Sequence, residues 1–135
     1  MNSIAYREGY KYQLARDYIA DIGICPPEAV GNSYLLLSKS GQLIVKEGYA
    51  WDGPSGPTCD TKNFMRGSLE HDALYQMMRE GLLTPGHRIL ADQRLRAVCL
   101  QDGMSAIRAW WVYQGVRLGG AGAIEPRPNE TLTAP

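Results

Sequence analysis

Apolar and polar residues alternate through the first part of the chain and recur at helical spacing through most of the rest. Tyr10, Tyr12, Leu14 and Tyr18 fall on one parity, broken by Arg16, which predicts a half-buried strand from about Tyr10 to Ile19. Cys25-Pro26-Pro27 ends any continuation, because proline cannot donate to a ladder. The β-prone runs Tyr34 to Leu37 and Leu43 to Val45 flank Lys39-Ser40-Gly41, a hairpin pattern with the glycine at the left-handed position. The stretch from Gly48 to Cys59 is too rich in glycine and proline for a regular element.

From there the period changes. A first helix is expected after an N-cap at Asp60 or Thr61, running to about Glu80 and stopped by Gly81. Phe64, Ser68, His71, Tyr75 and Met78 form one stripe on it, so the histidine should point inward. Thr84-Pro85 opens a second helix that ends near Asp102-Gly103. Its stripe of Ile89, Asp92, Leu95 and Cys99 puts an acid on an apolar face. A third helix, about Met104 to Leu118, carries Trp110, Trp111 and Tyr113. Adjacent tryptophans cannot share one helix face, so one is expected in the core and the other at the rim. Residues 121–135 have no periodicity and read as an extended tail on a single domain of residues 1–120. Strands followed by helices define an α+β fold: N-terminal antiparallel strands, then three helices, the first two an antiparallel pair.

Composition limits the function. With 135 residues and 44% hydrophobic content, the chain suits one domain with a modest core. A formal net charge of zero gives no general footprint for nucleic acid or for an anionic membrane. The N-terminus lacks a signal-peptide pattern, and no apolar run approaches the roughly 20 residues of a membrane span. The expected location is the cytoplasm of the cell that makes the chain, unless it leaves by lysis or inside an assembled particle. Cys25, Cys59 and Cys99 are odd in number and widely spaced, which argues for structural thiols rather than a disulfide framework or thiolate zinc site.

The chemistry concentrates between Tyr49 and Leu95. A short connection from Gly81 to Pro85 lets residues equidistant from the turn face one another, which brings His71 opposite Asp92. Tyr75, one turn after His71, can donate to the same carboxylate. An acid so placed orients an imidazole and stabilises the charge it gains as a general base toward water. Asp72 projects about 100° around the helix from His71 and can face the glycine- and proline-rich loop instead. A carboxylate with loop carbonyls is a hard-oxygen set suited to calcium.

The order of Asp52-Gly53-Pro54-Ser55-Gly56-Pro57, then His71-Asp72-Ala73-Leu74-Tyr75, then Ala91-Asp92-Gln93-Arg94-Leu95 resembles the phospholipase A2 superfamily, most closely its short, disulfide-poor members. Where disulfide-rich members carry cysteines, this chain has Gly67, Ser68 and Leu74. The resemblance implies His71 as general base, Asp92 as orienting acid, Tyr75 as its hydrogen-bond partner and Asp72 as the calcium carboxylate. Carbonyls of the loop, among them Trp51, Gly53 and Ser55, would complete the metal site, and the substrate would be a phospholipid at a membrane surface. The chain is also similar, over a longer stretch, to an uncharacterised family of phage and prophage proteins. Its pattern here is Tyr49-Ala50-Trp51-Asp52-Gly53-Pro54-Ser55-Gly56-Pro57, Ser68 to Tyr75, and Arg108 to Tyr113 leading into Gly115-Val116-Arg117-Leu118-Gly119-Gly120. That similarity implies a phage or prophage origin and supplies no established activity; other phage structural proteins would be the partners if the chain is a virion component.

Other readings of the same residues stay open. His71 bonded to Asp92 is also what a satisfied core pair looks like, and the chain would then be a non-catalytic virion protein of the tail or of assembly. The same dyad could equally cleave a cell-wall ester or amide. Asp52 reads as an ordinary turn acid, His87 as a surface residue, and Arg108 and Arg117 as exposed helix residues.

Overall fold

The computed structural model describes residue 4, residues 6–7, residues 12–51 and residues 62–125. Strands form one compact unit and helices a second. The chain is thus α+β, with N-terminal antiparallel strands followed by a three-helix segment.

In the strand unit, β1 (Tyr6–Arg7), β2 (Tyr12–Leu14) and β7 (Ala50–Trp51) form one antiparallel sheet in the order β1-β2-β7. The second sheet contains β3 (Tyr18–Asp21), β4 (Val30–Gly31), β5 (Leu35–Leu37) and β6 (Gln42–Val45), in the order β3-β6-β5-β4. The hairpin expected around Gly41 is present: Leu37 faces Leu43, and Gly41 has φ +92°. Ser38 closes the turn by accepting from Gln42 N at its hydroxyl, and its own N–H donates to Gln42 O, both at 2.9 Å. Alternation holds along these strands. Leu35, Leu37, Leu43 and Val45 are buried, while Ile19 and Leu36 point out.

Two expectations are corrected here. The single strand over 10–19 is two strands in different sheets, because the chain bends at Ala15 and Arg16. Asp17, just past the bend, accepts from Glu47 N through its side chain at 2.7 Å, a contact with no part in either ladder. Residue 10 lies outside the described residues. The glycine-rich segment is also not wholly irregular, since Ala50 and Trp51 pair with Gln13 and Tyr12. Trp51 packs its ring against Tyr12, with centroids 5.6 Å apart.

The helical unit comprises α1 (Lys62–Arg79), α2 (Arg88–Gln101) and α3 (Ala106–Gly119). Both turns between them end the preceding helix in the same way. Gly81, with φ +77°, donates to Met78 O while Leu82 N donates to Met77 O. Gly103, with φ +97°, donates to Leu100 O while Met104 N donates to Cys99 O. These are Schellman closures, which need a left-handed residue and so favour glycine. Thr84-Pro85 does open the second helical stretch, as a 3-10 turn over Pro85–His87 that leads into α2. Ser105 caps α3 by accepting from Arg108 N.

The early turns of α1 meet the late turns of α2, so these helices run antiparallel. Gly67 lets them approach: a Cβ there would lie 2.9 Å from Leu95 Cδ1 and 3.2 Å from Cys99 Sγ. Leu95, Cys99, Met104 and Ala109 form the apolar core between α2 and α3, joined by Phe64, Val112 and Val116. Cys99 is fully buried, and that burial pushes its thiol up to about 12. The segment expected to begin an extended tail forms a 3-10 turn over Ala121–Ile124, and Arg79 Nη1 donates to Ala123 O at 3.1 Å. The expected division of the tryptophans is corrected too. Ala109, Val112 and Val116 take the inward face of α3, so Trp110 and Trp111 are both exposed, at 42% and 65%. Among the described residues no helix is long and apolar enough to cross a membrane.

The hairpin offers a direct test. Gly41→Ala places a side chain in the left-handed region with its Cβ 3.2 Å from Cys25 Sγ, and is expected to cost about 1–2 kcal/mol. Urea denaturation followed by circular dichroism reads this; an unchanged midpoint would contradict the assigned turn.

Candidate functional site

α1 is unusual in being buried around most of its circumference from Met65 to Met78 while carrying Arg66, Glu70 and His71 among its buried residues. Buried charge is tolerated only when it is paired and hydrogen-bonded. Two polar clusters between the helices meet that demand.

The first is built on Asp92, which is fully buried. Its Oδ1 is 2.7 Å from His71 Nε2 and accepts from the Tyr75 hydroxyl at 2.6 Å. Its Oδ2 accepts from Arg117 Nη1 at 2.8 Å and lies 3.6 Å from Arg88 Nη1. The sequence-predicted trio of His71, Tyr75 and Asp92 is thus brought together. The rings of His71 and Tyr75 lie one turn apart with centroids at 4.1 Å. For His71, 10% of the side chain remains exposed, and among the described residues no group bonds its Nδ1.

Burial by itself pushes the Asp92 carboxyl up, but the hydrogen bonds from His71, Tyr75 and Arg117 outweigh it and hold the group below its ordinary value. For Tyr75, burial and the bond to Asp92 both push the hydroxyl well above its ordinary value. It therefore stays a proton donor to the carboxylate.

The second cluster lies further along the same two helices. Arg66 reaches Asp102 through Nε and Nη2, both at 3.0 Å, and its Nη2 also donates to Gln101 Oε1 at 3.0 Å. Arg94 reaches Glu70 through Nε at 2.7 Å and Nη2 at 3.2 Å. Both are two-pronged arginine to carboxylate contacts, the geometry that best offsets desolvation.

Sequence reasoning missed Arg88, Arg117, Arg66, Glu70, Arg94 and Asp102. Arg117 is corrected from an exposed helix residue to a partner of Asp92. Ile89 leaves the inward row, being 43% exposed, because Arg88 takes that place and forms the row Arg88, Asp92, Leu95, Cys99. The signal for Arg88 was its spacing of one turn before Asp92; Arg117 offered none, because a long flexible side chain does not announce its direction. His87 sits in the turn before α2, bonded through Nδ1 to Thr84 Oγ1 at 2.9 Å.

Of the residues assigned to calcium, Asp72 is partly exposed on α1, and Trp51 is buried in β7. Gly53 and Ser55, like Asp52, lie outside the described residues. Among the described residues no three histidine, cysteine or acidic side chains gather as a metal cluster. In comparison with known proteins, the chain matches no family model, no curated protein and no solved structure.

The Asp92 cluster predicts two outcomes. A depressed folded value means that the carboxylate's stabilisation is complete above the ordinary carboxylate range and is lost as pH falls through the folded value, because the unfolded chain takes up the proton first. Asp92→Asn removes the buried anion from its partly buried arginine partners Arg117 and Arg88 and its bonds from His71 and Tyr75, and is expected to cost about 3 kcal/mol at neutral pH. The deficit relative to the parent should narrow as pH falls below the carboxylate range, and an equal deficit at both ends in urea titrations would contradict the assignment. Separately, a Cβ at Gly120 would collide with the Tyr75 hydroxyl and with Val116 O. Gly120→Ala is therefore expected to cost about 1–3 kcal/mol through overpacking. A Tm equal to the parent's would show that α3 does not end against Tyr75.

Proposed function

We propose that the protein is a hydrolase in which His71, oriented by Asp92 and Tyr75, acts as a general base on water that attacks a phospholipid ester, in the manner of the phospholipase A2 superfamily that its motifs resemble. What supports the reading is the asymmetry of the imidazole: Nε2 faces a buried carboxylate at 2.7 Å, while among the described residues no group bonds Nδ1 and 10% of the side chain remains exposed. That is the arrangement a general base needs, with one nitrogen anchored and the other able to take a proton from water. As the nucleophile forms, His71 gains a proton at Nδ1 and Asp92 stabilises the resulting imidazolium through Nε2–H. The proton then passes to the leaving alkoxide.

The donor set that the resemblance implies for calcium, the Asp72 carboxylate with carbonyls of the glycine- and proline-rich loop such as Gly53 and Ser55, is all oxygen and suits a hard cation. When bound, calcium would supply charge stabilisation for the ester oxygen and hold the lipid phosphate. We read the antiparallel α1 and α2 as the counterpart of the superfamily's helix pair.

A second reading is favoured by a specific observation. The Asp92 cluster and the Arg66, Glu70, Arg94 and Asp102 cluster together satisfy every buried charge named on α1, which is what a rigid scaffold requires. On that reading the chain is a non-catalytic component of a phage particle, placed at the tail or used in assembly.

Release of fatty acid from mixed phospholipid vesicles with calcium distinguishes the two. The parent should release it, and His71→Ala should slow release by about 10²–10⁴-fold. Parent and variant that are equally inert would sink the hydrolase reading and leave the scaffold. Calorimetric titration with calcium tests the metal alone: heat of binding in the parent should disappear in Asp72→Asn.

A further inference from the structure

Asp92 distributes its two oxygens unequally. Oδ1 serves His71 and Tyr75, while Oδ2 serves Arg117 and, at 3.6 Å, Arg88. A carboxylate bonded on Oδ1 alone can pivot about the Cβ–Cγ axis. One anchored at both oxygens cannot, so the direction presented to His71 is set by what holds Oδ2. That anchor comes from α3, a helix outside the loop and helix pair that carry the phospholipase likeness.

Arg117 is itself held in place. Arg88 donates through Nη1 to Val116 O at 3.1 Å and through Nη2 to Arg117 O at 3.4 Å. These are carbonyls of the last turn of α3, where a cation is favoured by both hydrogen bonding and the helix dipole. The next element of the same turn closes the arrangement, because Gly120 leaves no room for even a Cβ between Tyr75 and Arg88. Arg88 therefore fastens the end of α3 to α2, and α3 in turn delivers Arg117 to Asp92.

We propose that Arg117 is a positioning residue of the His71 site: by holding Oδ2 of Asp92 it fixes the carboxylate plane, so that Oδ1 remains the acceptor for His71 Nε2–H. The site is thus a three-helix assembly. The proposal rests on the hydrolase reading for its catalytic meaning, but its geometry can be read without turnover.

The experiment is nuclear magnetic resonance of the His71 ring in the full chain. In the parent, the Nε2–H proton should appear as a slowly exchanging, strongly downfield signal, as befits a buried donor to a carboxylate. Arg117→Met should speed its exchange with water by about tenfold or more, while amide protection across α1 and α2 stays as in the parent. Arg117→Lys, which keeps a cation for Oδ2, should restore most of the protection. If Arg117→Met does not fold, Arg117→Gln, which keeps one N–H for Oδ2, is compared with Arg117→Lys, and faster exchange in the glutamine variant is expected. An unchanged signal in a folded methionine or glutamine variant overturns the positioning role. Loss of the signal that lysine fails to rescue, together with general loss of amide protection, also overturns it by showing a purely structural contact. A protected signal in a parent that hydrolyses nothing would overturn the hydrolase reading and leave the positioning role standing.

Discussion

A fully buried carboxylate cannot be left alone in a protein interior, and Asp92 organises the helical unit through that constraint. The cost of stripping water from one ion amounts to several kcal/mol even after relaxation. Here it is offset by bonds from α1, through His71 and Tyr75, and from α3, through Arg117, while Arg88 adds charge from α2 itself. Each helix of the unit therefore contributes to a single anion. Apolar contacts around Leu95 and Cys99 supply packing, but the carboxylate dictates which turns of the three helices must be level with one another.

The same constraint links stability with possible chemistry. A group held ionised by three hydrogen bonds is a reliable acceptor for an imidazole, and a tyrosine whose hydroxyl is pushed up keeps its proton and remains a donor. Those properties suit a catalytic dyad and a structural network equally. What separates the two is the far side of the imidazole, where no group among the described residues bonds Nδ1. In a network whose purpose is only to fill a core, that nitrogen would ordinarily be bonded.

Much of this was legible in the sequence, and the reasons differ by residue. His71, Tyr75 and Asp92 were readable because helical spacing and a short glycine-bounded turn together set which positions face each other. Gly41, Gly81 and Gly103 were readable because a left-handed turn leaves few alternatives. The break between β2 and β3 was not, since the contact that accompanies it, Asp17 accepting from Glu47 N, joins residues thirty apart. Nor was the Arg66, Glu70, Arg94 and Asp102 cluster: charged residues on a helix ordinarily mark its solvated side, and only the burial of α1 reverses that expectation. The outward position of both Trp110 and Trp111 escaped the pattern because α3 has apolar residues on two faces, and periodicity does not say which face finds a partner.

The paired arginines and carboxylates between α1 and α2 have a consequence for how such a chain can evolve. Each contact joins one position on α1 to one on α2, so together they measure length along both helices. An insertion or deletion of one residue inside either helix rotates everything beyond it by about 100° and would misalign the ionic contacts beyond it together. A change of length in the exposed turn at Gly81 disturbs none of them directly. Over divergent descendants, the helices should keep their lengths while the turn between them drifts, and the apolar positions between the charges should vary more freely than the charges themselves.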